Sequence, residues 1–166
     1  MKMKNVGFYG GSLIMELGPI ADMQAFFYAI TIAALQLPTN EDSRLLTDRL
    51  YRRYLRVDEL GPAIDLLNRI QKIMHEIPTN SVDWGDFKWE KPYSLLGKTK
   101  NTLGELLEKY LKSTQKIIKN AQSFQKKFNI YEPVITIITD TPRFYIESAR
   151  PLAEYDALEG DPMWLR

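Results

Sequence analysis

Residues 102–128 constrain this chain more than any other stretch. Leu103, Leu107, Tyr110, Thr114, Ile117, Ala121, Phe124 and Phe128 recur at three- and four-residue spacing and fall on one helical face, while Lys109, Lys112, Lys116 and Lys119 lie close to the opposite one. A helix divided so sharply has to bury its apolar side against something else in the chain. Residues 58–77 carry a second such pattern, with Leu60, Ile64, Leu67, Ile70, Met74 and Ile77 in line and Leu66 and Ile73 widening the stripe. Asp58 is placed to cap this helix, Pro62 sits in its first turn, and Pro78 stops it. A third helix is expected over residues 20–37. Ile20, Met23, Phe27, Ile30, Ala34 and Leu37 make one face, and Ala25, Ala29, Ile32 and Ala33 make much of the remainder apolar, which suits a central position. Its apolar run is too short to span a bilayer and holds Tyr28, Thr31 and Gln36. Residues 41–56 predict a fourth helix, capped by Asn40, with the narrower stripe Leu46, Leu50, Tyr54, Val57. Its acidic start and its basic end, with Arg49, Arg52, Arg53 and Arg56, match a helix dipole.

Strand signals are fewer. Residues 6–12 predict a short strand running into a tight turn at Gly10-Gly11, and Gly18-Pro19 punctuates the chain after it. Residues 81–84 predict a brief strand, followed by an irregular connection over residues 85–97. The β-branched run 134–139 predicts another, with a turn at 140–143 and an antiparallel return at 144–148. The expected fold is α+β: one domain over residues 1–166, with a small, mostly antiparallel sheet of three or four strands and several long helices packed on it.

Composition narrows the chemistry. With no cysteine and one histidine, His75, the chain lacks thiolate ligands and nucleophiles and cannot assemble a zinc or iron site from imidazoles. His75 near a helix C-terminus has a structural reading. No serine stands in a nucleophile-elbow context. Gly97-Lys98-Thr99 resembles the end of a phosphate-binding loop, but Pro92 occupies the position of its first glycine. Neither an enzymatic activity nor a cofactor is expected. The lysine face of residues 102–128 is the alternative functional signal, for a nucleic-acid-binding regulator, although a solvated helix face explains it as well. A net charge of +1 gives no global attraction to nucleic acid or to a membrane.

Two stretches mix aromatic and acidic residues as interface hot spots do: Asp83, Trp84, Asp86 and Trp89 in one, and Glu154, Tyr155, Asp156, Glu159, Asp161 and Trp164 in the other. Trp84 and Trp164 have the competing reading of core or closing residues.

Lys4-Asn5-Val6-Gly7-Phe8-Tyr9-Gly10-Gly11-Ser12, then Glu16-Leu17-Gly18 and the pair Phe26-Phe27, resembles the start of immunity proteins from bacterial polymorphic-toxin and contact-dependent growth inhibition systems. The similarity continues through Leu50-Tyr51 and Val82-Asp83-Trp84 to Pro92, somewhat more than the first half of the chain. The resemblance implies a small cytoplasmic protein that binds one cognate toxin C-terminal domain, often a nuclease, and blocks it by occlusion, with no membrane or nucleic-acid partner. The expected toxin-binding residues are Asp83, Asp86, Trp89, Glu154, Tyr155, Asp156, Glu159, Asp161 and Trp164.

Overall fold

The computed structural model describes residues 4–39, 41–84, 101–130, 133–139 and 152–165. β1 (Asn5–Gly10) and β2 (Leu13–Pro19) form an antiparallel hairpin. Gly11 and Ser12 between them have φ of 54° and 60°, the paired left-handed conformation that matches a two-residue turn to strand twist. Gly11 is required for a second reason: a Cβ there would come within 2.7 Å of the Asn120 side-chain nitrogen. Asn120 Nδ2 uses this closeness to donate to the carbonyls of Gly10 and Gly11, at 3.0 and 2.9 Å.

β4 (Val134–Ile138) lies antiparallel between β1 and β3 (Tyr54–Leu55), so the sheet order is β2-β1-β4-β3. The fold is α+β, as expected. All five β4 residues are buried, because this strand is covered on both faces. Val6, Phe8, Val134 and Ile138 join the main core, to which α1 (Ile20–Ala34), α2 (Leu60–Met74), α3 (Leu103–Leu106) and α4 (Glu108–Phe128) contribute their apolar sides. A second cluster of Tyr54, Ile135 and Ile137, with Tyr9 beside it, is closed by Tyr155 and Met163 of the C-terminal segment. At roughly 1.5–3 kcal/mol per fully buried large side chain, the helices and that segment both contribute to holding the sheet.

Several elements differ from expectation. Where one strand and a break were expected near the start, residues 13–19 return as β2, a pairing set by contact with β1 rather than by local sequence. The helix expected over 41–56 is a π-helical segment, Leu45–Leu50, that gives way to β3 because Tyr54 and Leu55 pair with Ile135 and Val134. Thr136 Oγ1 donates to the Leu50 carbonyl at 2.9 Å and so satisfies an acceptor at that helix end. Asp58 does not cap α2; it lies in a 3₁₀ turn, Val57–Glu59, where the Glu59 carboxylate accepts the Arg56 N–H at 2.9 Å.

Residues 81–84 are not a strand. Ser81 ends a 3₁₀ turn, Thr79–Ser81, and Val82 and Trp84 pack half-buried against the core. The helix expected over 102–128 is stepped at Leu107, with Thr102 Oγ1 capping α3 by accepting from Glu105 N at 3.2 Å. The start of α3 is tied to the end of α2 by Leu103 N donating to Ile77 O at 3.0 Å and by Gly104 packing on His75, and α4 then packs on both α2 and the β1–β2 hairpin. The Asn40 cap, the connection 85–97 with Gly97-Lys98-Thr99, the turn 140–143 and the return strand 144–148 lie outside the described residues.

Candidate protein-binding surface

On α1 the side chains of Gln24, Phe27, Tyr28 and Thr31 repeat at helical spacing, and the π-helical segment sets Thr47 and Tyr51 opposite them. Between the two walls runs a groove of about 260 Å³. Its floor is aromatic: the Phe27 and Tyr51 rings meet edge to face at 5.1 Å. π-Helical turns re-aim side chains and recur at functional sites, and this one places Thr47, with Tyr51 at its C-terminal end.

The two acidic-aromatic stretches come together here. On the Tyr28 side, Tyr28 Oη donates to the Asp83 carbonyl at 2.8 Å and the Trp84 ring lies 6.0 Å from the Tyr28 ring. On the Tyr51 side, the Trp164 ring stands 5.7 Å from Tyr51 and 6.1 Å from Phe27. Burial, and then the negative charge of Asp161, push the Tyr51 hydroxyl above the usual phenol range against the opposing charge of Arg52. Asp83 and Asp161 are both exposed.

The remaining expected residues have other surroundings. Trp164 is 2% exposed and its Nε1 donates to Tyr51 O at 2.9 Å, and Tyr155 is 1% exposed beneath Tyr54. Both close the core from within and present no face to a partner; their acidic neighbours made the segment look like open surface. Asp156 accepts from Tyr54 Oη at 2.9 Å and pairs with Arg56 at 3.1 Å. Burial raises its pKa, but the Tyr54 hydrogen bond and the Arg56 charge outweigh that, so the carboxyl titrates below its ordinary range. Glu154 and Glu159 are exposed on the same segment. Asp86 and Trp89 lie outside the described residues.

Sequence reasoning missed what the arginines do. Arg53 donates to the carbonyls of Tyr155 (3.4 Å), Asp156 and Leu158 (3.2 Å), and Arg52, paired with Asp48, donates to Gly160 O at 3.3 Å. Arg49 and Arg56 lie over the Tyr54 ring at 5.3 and 5.8 Å. These cations clamp the C-terminal segment. No local pattern announces it, because donor and acceptor are about a hundred residues apart.

No protein-family model, curated protein or solved structure matches this chain. The likeness to immunity proteins therefore stands on the residues quoted for it. Among the described residues no group of acids and histidine could hold a metal ion, and no helix is long and apolar enough to cross a membrane. The lysine face of α4 is partly engaged: Lys109 Nζ donates to Leu17 O at 2.6 Å and Lys112 pairs with Glu108 at 2.9 Å. Lys116 and Lys119 border an open depression of about 420 Å³ on that helix.

Proposed function

We propose that this chain is an immunity-type protein that binds a cognate toxin domain and neutralises it by direct contact and occlusion, using the face around the α1 groove. The observation that carries the reading is the convergence of two acidic-aromatic stretches, far apart in sequence, at one aromatic groove: the Asp83 carbonyl and Trp84 meet Tyr28, and Trp164 packs on Phe27 and Tyr51. Aromatic groups on segments that also carry exposed acids, here Asp83 and Asp161, are the elements of a tight, electrostatically steered interface. A basic nuclease surface would be drawn to them in spite of the near-neutral whole, because steering depends on local potential rather than net charge.

The test is co-expression of this chain with the toxin domain encoded immediately upstream, read by growth rescue and by co-purification. Rescue and a stable complex are expected, and the double variant Asp83→Ala/Asp161→Ala should weaken binding by about tenfold or more while flattening its salt dependence. A toxic upstream domain that is neither bound nor rescued sinks the reading. In that event, binding of duplex DNA or RNA that falls steeply with salt and disappears on charge reversal at Lys116 and Lys119 would favour the lysine face instead.

A further inference from the structure

We propose that α4 carries a second binding site, for a single strand of nucleic acid, with phosphates on Lys116, Lys119 and Lys126 and an unpaired base in the depression between α4 and the 3₁₀ turn before α2. The site shares no residue with the α1 groove and does not depend on the immunity reading.

Residues 109–130 hold six lysines and no acid. A helix face that meets only solvent gains from opposite charges at three- and four-residue spacing and is destabilised by like ones. α2 follows that rule, with Asp65 four residues before Arg69. α4 breaks it: Lys112, Lys116 and Lys119 succeed one another at spacings of four and three. The helix dipole accounts for Lys126 and Lys127 in the last turn, but it does not reach Lys116 and Lys119. Lys109 is held by the Leu17 carbonyl and Lys112 pairs with Glu108, whereas Lys116, Lys119 and Lys126 have no hydrogen bond or ion pair among the described residues. These three span about 15 Å of helix, the length of about four stacked nucleotides at about 3.4 Å each.

Beside this row the surface is concave in two adjoining places. The depression bordered by Lys116 and Lys119 continues into one of about 460 Å³, the two sharing Lys119 and Ser123. Gln122, Gln125 and Lys126 extend its α4 wall, and Val57 and Leu60 form the wall opposite. A nucleotide uses each kind of lining. The ammonium groups and the Ser123 hydroxyl suit phosphate oxygens. The amides of Gln122 and Gln125, which make no hydrogen bond among the described residues, offer both donors and acceptors. A phosphate only accepts and leaves the amide oxygens unsatisfied, whereas a base edge serves both. Val57, 44% exposed, gives an apolar surface for a ring to lie against. The volume falls within the roughly 300–1,000 Å³ of sites for small organic groups. Among the described residues no carboxylate lines it: Glu59 pairs with Arg49 at 3.2 Å and accepts the Arg56 N–H, and Asp58 and Asp65 lie outside the lining. A duplex keeps its bases paired and stacked, so the strand that fills the depression is single.

The test measures fluorescence anisotropy of labelled strands of about 12 nucleotides with the full-length protein across a salt series. A single strand of DNA or RNA is expected to bind with log K falling against log salt at a slope of about −2, the value for three contacted phosphates. Lys116→Gln/Lys119→Gln should weaken binding about tenfold or more and reduce the slope by about 1.4, with a melting temperature no lower than the parent's because like charges are removed. Gln122→Ala/Gln125→Ala should weaken it about three- to tenfold at an unchanged slope, which a purely electrostatic patch would not show. An abasic strand of the same length, a duplex and a mononucleotide should each bind about tenfold more weakly or worse. Any of the three binding as tightly as the single strand overturns the proposal, as does strand binding that survives the lysine double variant. Adding the upstream toxin domain separates the two surfaces. Strand binding without a toxin complex leaves this inference standing while defeating the immunity reading, and a toxin complex without strand binding does the reverse.

Discussion

Arg53 is the residue on which the C-terminal segment turns. Its guanidinium serves three backbone carbonyls of that segment and stands 3.7 Å from Asp48. A lysine in its place keeps the charge but not the fork of donors, so Arg53→Lys should cost about 2 kcal/mol, measured by urea unfolding, and Arg53→Ala at least as much. Asp156 makes a pH-dependent contribution. Its folded-state pKa is depressed, so its stabilisation is complete above the ordinary carboxylate range and is lost as pH falls through the folded pKa. The melting-temperature gap between the parent protein and Asp156→Asn should therefore be present at pH 6 and close in the acid range below about pH 4. Both residues were visible in the sequence, but their roles were not. The arginines matched a helix dipole, and the partners that override that reading are carbonyls, which carry no residue signature.

Elements whose packing partner is implied by their own periodicity were legible. The apolar stripe of α4 is buried from Tyr110 to Ala121 but runs out to a half-buried Phe124 and an exposed Phe128, the β-branched run of β4 appears where the spacing puts it, and five of the six residues read as the α2 stripe are buried, with Ile64 left half-buried at the rim. Elements defined by a distant partner were not. β2 follows from pairing with β1, and β3 exists because β4 offers it a ladder. Of the candidate surface, the sequence singled out Asp83 and Asp161 but not the groove, since Thr47 reaches it from a π-helical segment and Tyr51 from just past its end, a geometry that helical spacing alone does not distinguish from an ordinary helix. At this scale the turn between β1 and β2 offers a clean test. Gly11→Ala forces a side chain into a left-handed conformation and against Asn120, and should destabilise the protein by about 2 kcal/mol or more in thermal or urea unfolding. Substituting Gly160, which also has positive φ (82°) but nothing within 4 Å of an added Cβ, should carry the conformational penalty alone and so cost less.

Across the whole molecule the sheet has two covers of different kinds. Helices bury one face, and the segment around Tyr155 and Met163 buries the other. β4, flanked by strands and covered on both faces, should exchange its amide hydrogens only on global unfolding, while β2 at the sheet edge should exchange through smaller openings. Native-state hydrogen exchange that found β4 as labile as β2 would contradict this layering.

The strand order has a consequence for how the protein is made. β1 and β2 leave the ribosome well before β4, the strand that completes the other side of β1. At typical translation rates the interval is on the order of 10 s. During it the nascent hairpin has one unclaimed row of hydrogen-bonding groups, at the place where a neighbouring nascent chain could pair with it. Emergence of β4 is thus the moment at which this hairpin ceases to be a target for templated misassembly.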